Sequence, residues 1–265
     1  MLIDIGVNLS NSRFADDIES ILIRAQEAKV TKIILTGTSI KETQMVIELC
    51  ERYQSQFPSM LYATAGIHPH EAKSFNGSAI ETLEGLAKHS CVVAIGETGL
   101  DFNRNLSPQN TQEKAFESQI ELAVNCKLPL FLHERDASKR QLEILRSYQN
   151  HLPKAVIHCF TGDKKTLFSY LDLDLYIGIT GWICDERRGR DLQNIVKNIP
   201  LNRLMVETDA PYLLPRNMPE IPKNRRNEPA NLNYVIAGIT AHREESANII
   251  AESSSATAVA FFNLT

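Results

Sequence analysis

The stretch CVVAIGE, residues 91–97, is a short apolar run that ends in a side chain able to bind a metal ion. Four other apolar runs are followed by residues of the same kind: His68 with His70, His133, His158 and Asp209. Short apolar runs of this type are typical of strands that are buried on both faces of a parallel sheet. The carboxyl ends of such strands open on one face of an α/β barrel, so we expect these side chains to meet in one pocket.

Eight such strands are predicted, and segments with helical spacing of apolar residues separate them. The predicted strands are residues 2–6, 32–36, 61–67, 91–96, 130–132, 155–157, 175–179 and 203–207. The predicted helices are residues 14–28, 42–53, 79–88, 108–126, 138–148, 164–171 and 185–198, with further helical material at 232–262. Ser107, ahead of Pro108, is expected to cap the fourth helix. Eight repeats favour a closed (β/α)8 TIM barrel, a single α/β domain spanning residues 1–265, over a doubly wound sheet.

The composition argues against several other classes of protein. The five cysteines form no CxxC pair, which argues against a zinc ribbon and against a disulfide framework. No apolar stretch approaches the ~18 residues of a membrane span, and the first residues, MLIDIGVNLS, lead directly into a strand-like run. We therefore expect a cytoplasmic protein without a signal peptide or membrane anchor.

Four strand-end residues offer the carboxylate oxygens and imidazole nitrogens that bind metal ions: Glu97, His133, His158 and Asp209. A single residue of this kind is more often structural, but four at the same end of successive strands favour a divalent metal site. Asp209 could be a ligand, accept a proton from the attacking water, or cap a turn before Pro211. Glu207 is expected to lie within the eighth strand and is not counted in the site.

Five short motifs occur in a fixed order along the chain. They are GIHPH at 66–70, GETGLD at 96–101, LHERD at 132–136, IHCFTG at 157–162 and ETDAPYL at 207–213. With them the chain resembles the TatD family of metal-dependent nucleases, within the amidohydrolase-like barrels. The resemblance implies that Glu97, His133 and His158 are metal ligands, that Asp209 is a ligand or the catalytic base, and that His68 faces the substrate phosphate.

The amino-terminal strand departs from the family pattern. Most members begin with Asp-x-His-x-His, whereas this chain has Asp4, Gly6 and Asn8 at the matching positions. Gly6 offers no side chain and Asn8 offers only a neutral amide oxygen, so the first metal position is weakened or lost. This start is similar to the branch of magnesium-dependent exonucleases that act on single-stranded DNA and RNA. A ligand set with fewer imidazoles favours Mg²⁺, with Mn²⁺ or Zn²⁺ as alternatives, and histidines restored at positions 6 and 8 are expected to add bound metal.

The formal net charge of −4 argues against a general nucleic-acid binder, but the distribution of basic residues matters more than the sum. Basic residues follow the fifth, seventh and eighth strands: Arg135, Lys139, Arg140, Arg187, Arg188, Arg190, Arg216, Lys223, Arg225 and Arg226. Aromatic residues lie among these loops: Phe102, Phe160, Trp182 and Tyr212. They could stack on unpaired bases, although Phe102 and Phe160 could equally cap the barrel core, and basic loops are often solvated surface. The free end of a single nucleic-acid strand fits a pocket better than a duplex does.

The sequence therefore predicts metal-dependent phosphodiester hydrolysis of single-stranded DNA, and of RNA, with Glu97 and Asp209 as catalytic residues. His68 and Arg135 are expected to bind phosphate oxygens. Two alternatives stay open: another hydrolase of this barrel class, such as an aminoacyl-tRNA deacylase, and a non-enzymatic nucleic-acid-binding or scaffold protein. Residue patterns do not fix cleavage polarity, DNA against RNA preference or oligomeric state. The resemblance implies 3′ to 5′ cleavage by a monomer, with a role in DNA repair or nucleic-acid turnover.

Overall fold

Eight parallel strands form one sheet, in chain order, in the computed structural model, which describes all 265 residues. The strands are β1 Leu2–Val7, β2 Val30–Leu35, β3 Leu61–Ala65, β4 Val92–Asp101, β5 Leu130–Arg135, β6 Ala155–Ile157, β7 Tyr176–Ile179 and β8 Leu204–Val206. The end of β8 returns beside β1, where Val7 bridges Ala210 in parallel and the Asn8 N–H donates to the Ala210 carbonyl at 2.8 Å. The sheet is thus a nearly closed barrel, and the predicted TIM barrel is confirmed.

Helices follow the strands and pack around the barrel. They are α1 Ile18–Glu27, α2 Ile40–Tyr53, α3 Gly77–Ala87, α4 Gln109–Cys126, α5 Ser138–Ser147, α6 Lys164–Leu171, α7 Arg190–Ile195, α8 Leu232–Thr240 and α9 Ala247–Phe262. The predicted helix at 185–198 is largely replaced by short 3₁₀ turns around α7, and the material at 232–262 is two helices. None of the helices combines the length and the apolar character needed to cross a bilayer.

Strands β4 and β5 extend beyond their predicted ends. They keep pairing with one another as far as Asp101 opposite Arg135, with a register irregularity between Gly96 and Thr98. Glu97 therefore lies within a strand, at this irregularity, and His133 also lies within its strand. The prediction ended both strands where the apolar run stopped, because polar residues that line a cavity have the same composition as a loop.

The start of α4 also differs from the prediction. The helix begins after Pro108 without a side-chain cap, so the expected role of Ser107 is wrong. The Ser107 hydroxyl donates to the His70 carbonyl at 2.9 Å and accepts from the Lys73 N–H at 3.0 Å. Ser107 thereby fastens the segment after β3, which carries two histidines, to the segment before α4.

The amino-terminal end of the barrel is closed by apolar side chains. Ile3, Phe131 and Met205 from the strands belong to one buried cluster with Phe261 and Phe262 near the end of α9. A second, larger cluster packs the helices against the outside of the sheet. The wide opening is therefore at the carboxyl ends of the strands, where barrels of this class carry their sites.

Candidate active site

One cavity of ≈ 570 Å³ opens at the carboxyl ends of the strands. It is lined by all six residues that the sequence analysis assigned to the site, namely His68, Glu97, His133, Arg135, His158 and Asp209. They come from five different strands or the loops that follow them, as the barrel geometry requires. Asn8, His70, Asp101, Trp182 and Tyr212 complete much of the wall.

Glu97 is the centre of the cluster. Its Oε1 lies 2.8 Å from His133 Nδ1, 2.8 Å from His158 Nε2 and 3.2 Å from His68 Nε2. Burial acts to raise the pKa of Glu97, but the charge of His158 and the hydrogen bonds from His133 and His158 outweigh it and hold that pKa well below its usual value. Glu97 is therefore a buried carboxylate that stays ionised.

Two of these histidines have a second carboxylate on their other ring nitrogen. His158 Nδ1 lies 3.3 Å from Glu207 Oε2, and His133 Nε2 lies 3.3 Å from Asp101 Oδ2. Each ring therefore lies between two carboxylates, and the second carboxylate can hold a proton on its own side of the ring when a metal ion replaces the proton that faces Glu97. His158 Nε2, His133 Nδ1 and the Glu97 carboxylate are thus a donor set that fits a divalent metal ion.

His158 and His133 both bind protons more strongly than an ordinary histidine does. Burial lowers the pKa of His158, but the charges of Glu97 and Glu207 raise it well above its usual value. The pKa of His133 is also raised, since hydrogen bonds to Asp101 and Glu97 outweigh its burial. Carboxylates that attract protons this strongly will also attract a cation that takes their place.

His68 differs from the other two histidines. Its Nε2 belongs with Glu97 and His133 to a group whose ligand atoms lie within 4.8 Å of one another. Its Nδ1, however, accepts the His70 N–H at 3.0 Å, so the neutral ring carries its proton on Nε2. Burial lowers the pKa of His68 to about 4, which keeps the ring neutral. His68 is therefore a hydrogen-bond donor toward the cavity and is poorly suited to coordinate metal through Nε2.

Asp209 lines the same cavity from the loop after β8. It has φ 53°, a left-handed conformation that aspartate tolerates better than most residues, and its Oδ1 accepts from Asn8 Nδ2 at 3.0 Å. Burial, together with the charges of Glu207 and Glu97, raises the pKa of Asp209 to about 7. Its carboxylate is thus a stronger proton acceptor than an ordinary aspartate.

Asp4 and Asn8 hold this loop in place. The fully buried Asp4 carboxylate accepts the Thr208 N–H at 2.9 Å and the Thr208 hydroxyl at 2.6 Å. Asp4 therefore crosslinks the ends of β1 and β8 between the two acids Glu207 and Asp209. Asp4 is thus taken up by Thr208 and not by the Glu97 cluster, whereas Asn8 lines the cavity beside Asp209.

Glu207 was expected within the eighth strand and was not counted in the site, but the structure places it outside that strand and next to His158. The strand β8 ends at Val206, so Glu207 lies just beyond it, fully buried. Its carboxylate contacts His158 and the Cys159 N–H, and a Cβ added to Gly6 would overlap its Oε2. Glu207 occupies the space that a side chain at position 6 would need. A histidine restored at position 6 can therefore add bound metal only if Glu207 moves.

The substitution Gly6→Ala tests this packing. The added methyl group should displace Glu207 from His158, at a cost of about 1–3 kcal/mol in the free energy of unfolding, as for other overpacked cores. The comparison is with Gly85→Ala in α3, where nothing lies within 4 Å of the added Cβ and stability should rise slightly. Chemical denaturation of both variants measures the difference. Equal free energies of unfolding for Gly6→Ala and wild type would show that the Glu207 side chain can move away from position 6 without a cost in stability.

Asp101 was also missed by the sequence analysis. It ends the extended strand β4, is buried, and accepts from His70 Nε2 at 2.7 Å as well as facing His133. Its position at the end of the GETGLD motif was visible in the sequence, but its place in the cavity depends on the extension of β4 past the apolar run. Asp101 thus connects His70 to His133.

Glu207→Gln tests whether Glu207 orients His158. An amide can donate to Nδ1 and move the ring proton to Nε2, so affinity for the activating metal should fall about 10- to 100-fold, as for other partners of metal-binding histidines. Titration of activity with Mg²⁺ measures this shift. Glu245→Gln is the control, because Glu245 pairs with Arg243 outside the cavity. An unchanged Mg²⁺ midpoint would make Glu207 purely structural.

Several of the basic and aromatic residues noted in the sequence have structural roles. Arg226 is bound to Asp17 at 2.7 Å and to Glu228 at 2.6 Å, and its side chain is only 12% exposed, so it is poorly placed to bind phosphate. Phe160 is fully buried in the core, so it does not stack on bases. Tyr212 is 49% exposed at the cavity wall and remains accessible.

Arg135 and Trp182 lie together in the cavity wall. Arg135 Nη1 donates to the Thr161 hydroxyl at 3.3 Å, and its guanidinium carbon lies 5.4 Å from the centre of the Trp182 ring. This contact holds the guanidinium group beside the metal-binding cluster without an opposing carboxylate. A guanidinium in that position is free to bind an anion.

A barrel that gathers carboxylates and imidazoles at the carboxyl ends of its strands defines the class of amidohydrolase-like metal-dependent hydrolases. The sequence model described as "TatD related DNase" matches residues 3–263. The chain therefore belongs to the TatD-related DNase family and is a nuclease-type hydrolase.

Individual relatives agree with this assignment. A protein from Pectobacterium parmentieri, named 3′-5′ ssDNA/RNA exonuclease TatD, is 45% identical over 263 residues, covering 99% of this chain and 100% of the other. A protein of the same name from Salmonella typhimurium is 43% identical and covers 99% of both chains. The crystal structure of a TatD homologue from Escherichia coli K12 superposes with a TM-score of 0.89 at 29% identity, covering 100% of this chain and 98% of the other.

Proposed function

We propose that this protein is a metal-dependent exonuclease that removes nucleotides from the 3′ end of single-stranded DNA and RNA. The observation that carries the proposal is the Glu97 cluster, in which one nitrogen of His133 and one of His158 lie 2.8 Å from a buried carboxylate and the other nitrogen of each ring faces a further acid. The cluster lies in a cavity that also contains Arg135, a cation suited to a phosphate group.

The proposed metal ligands are Glu97, His133 and His158. Mg²⁺ is the proposed ion, with Mn²⁺ or Zn²⁺ as alternatives, and when bound it would polarise a phosphate oxygen and stabilise the charge that develops on it. Oxygen donors are abundant nearby, because Asp209 and Asp101 line the same cavity, which suits a hard cation.

The other residues of the cavity have separate proposed roles. Asp209, with its raised pKa, orients the attacking water and takes its proton. His68 donates from Nε2, and Arg135 from its guanidinium, to oxygens of the scissile phosphate. No covalent intermediate is needed, because the water attacks phosphorus directly.

The choice of nucleic acid over other substrates rests on the relatives and on charge. The relatives at 45% and 43% identity carry the name of a single-strand exonuclease, whereas neither competing function, an aminoacyl-tRNA deacylase or a scaffold, has a specific observation in its favour. We further propose one catalytic domain over residues 1–265, a monomer, and action in the cytoplasm in nucleic-acid turnover or DNA repair.

The test is digestion of end-labelled single strands with either the 3′ or the 5′ end blocked, in Mg²⁺, Mn²⁺ and Zn²⁺. A 3′ block should stop release of mononucleotides and a 5′ block should not. Duplex DNA and an aminoacyl ester serve as competing substrates. Faster ester hydrolysis than strand digestion in every metal would overturn the proposal in favour of a different hydrolase.

A further inference from the structure

A second groove of ≈ 560 Å³ lies beside the active-site cavity. It is formed by the 3₁₀ turn Gly181–Cys184 after β7, the residues that follow this turn, and the long loop after β8. Trp182 and Leu213 belong to the walls of both the groove and the active-site cavity. A chain that leaves the cavity past Trp182 therefore enters this groove directly.

The groove is basic in a protein that is acidic as a whole. Four arginines line it, namely Arg187, Arg188, Arg216 and Arg225, against two acids, Asp185 and Glu186. The net charge of the groove is therefore positive, while the chain carries −4. Such a local excess attracts a polyanion and leaves the rest of the surface repulsive to it.

The buried Asp185 fixes the positions of these arginines without using up their donors. Its carboxylate lies 3.2 Å from Arg188 Nη2 and 3.5 Å from Arg216 Nη1, and the same Arg216 nitrogen lies 3.6 Å from Glu186 Oε1. The side chains of Arg188 and Arg216 are still 62% and 37% exposed. Each guanidinium has five N–H donors, so most of them remain available to a ligand in the groove. Arg225 forms no ion pair.

Trp182 provides an aromatic surface at the junction of the two sites. Its indole N–H donates to the Arg188 carbonyl at 3.2 Å, and the guanidinium carbons of Arg188 and Arg135 lie 4.6 Å and 5.4 Å from the ring centre. The ring is therefore held by contacts from the groove side and from the cavity side. Held aromatic rings among arginines are the usual means of binding unpaired bases regardless of sequence.

We propose that this groove binds the nucleotides on the 5′ side of the scissile phosphate, with Trp182 stacking on a base and Arg216 and Arg225 contacting backbone phosphates. The proposal rests on the proposed exonuclease function and extends it. If the groove binds these nucleotides, the enzyme should favour strands longer than a dinucleotide, because a dinucleotide fills only the active-site cavity and does not reach the groove.

The experiment compares kcat/KM for a dinucleotide and for a hexanucleotide of the same 3′ sequence, at several salt concentrations. The variants are Arg216→Ala with Arg225→Ala, and separately Trp182→Ala. The control is Arg52→Ala with Arg146→Ala. Both control residues are exposed and lie in the last turns of α2 and α5, which are at the opposite end of the barrel from the site.

Wild type and the control should favour the hexanucleotide, by on the order of tenfold for one stacked base. The double arginine variant should lose much of this preference, and its salt slope on the hexanucleotide should fall by about 0.7 per lost phosphate contact. Trp182→Ala should lose the preference as well. The double arginine variant keeps the test valid if Trp182→Ala fails to fold.

The experiment distinguishes an error in the groove proposal from an error in the proposed function. The groove proposal would be wrong if wild type had equal kcat/KM for the two lengths. It would also be wrong if the double arginine variant kept the full preference for the hexanucleotide and the full salt slope. The exonuclease function would stand in either case. No hydrolysis of either oligonucleotide in any metal would overturn the exonuclease function itself, and the groove proposal with it.

Discussion

Glu97→Gln is expected to remove essentially all nuclease activity, with kcat/KM falling by more than about 10³-fold. Glutamine keeps the shape of the side chain but removes the charge at the point where His133, His158 and His68 converge. The neutral amide is a poor ligand for a divalent cation. Steady-state kinetics on a single-stranded oligonucleotide measures the loss.

The same variant should fold like wild type, because its volume is unchanged and the cluster lies at the mouth of the barrel rather than in its packed interior. Far-UV circular dichroism and cooperative unfolding check this. Glu113→Gln is the matched control, since Glu113 on α4 pairs with Arg140 on α5 outside the cavity. Cleavage by Glu97→Gln at the wild-type rate would exclude Glu97 from catalysis.

Asp209→Asn is expected to lower kcat by at least ~10²-fold, as is typical of lost general-base assistance. Asparagine preserves the size and tolerates the left-handed backbone at this position, but it cannot take a proton from water. The change in KM should be much smaller, because the other phosphate contacts remain. Measurement of kcat and KM separately distinguishes the two effects.

Asp174→Asn is the control for Asp209→Asn. Asp174 also has a positive φ, 61°, and its side chain is 88% exposed beside Arg203. Both substitutions thus make the same chemical change in the same backbone conformation. If Asp209→Asn instead raised KM and left kcat intact, Asp209 would be a substrate-binding residue and not the base.

The barrel could be predicted from the sequence because parallel strands buried on both faces have a plain pattern of short apolar runs. The ends of the strands were less predictable. Strand β4 continues through polar residues as far as Asp101, since the pairing with β5 continues there while the composition turns polar. An apolar run marks only the part of a strand that is buried in the core, whereas the ends of β4 and β5 carry polar residues that line the cavity.

The position of the site followed from the barrel, since all strands open on one face. The hydrogen-bond partners did not follow, because they depend on side-chain directions that spacing in the sequence does not specify. Glu207 precedes Asp209 by two residues in the chain, yet its neighbours in space are His158, 49 residues away, and Gly6. The sequence shows that a histidine is absent at position 6, and only the fold shows that Glu207 fills its place.

The most direct test of the metal centre is release of mononucleotides from a single-stranded oligonucleotide by dialysed protein, first in excess EDTA and then after excess Mg²⁺ is added. No release is expected in EDTA, because the buried Glu97 cluster binds phosphate productively only with a cation in place. Addition of Mg²⁺ should restore release in a saturable way. Release at the full rate in EDTA would contradict the assignment of Glu97, His133 and His158 as metal ligands.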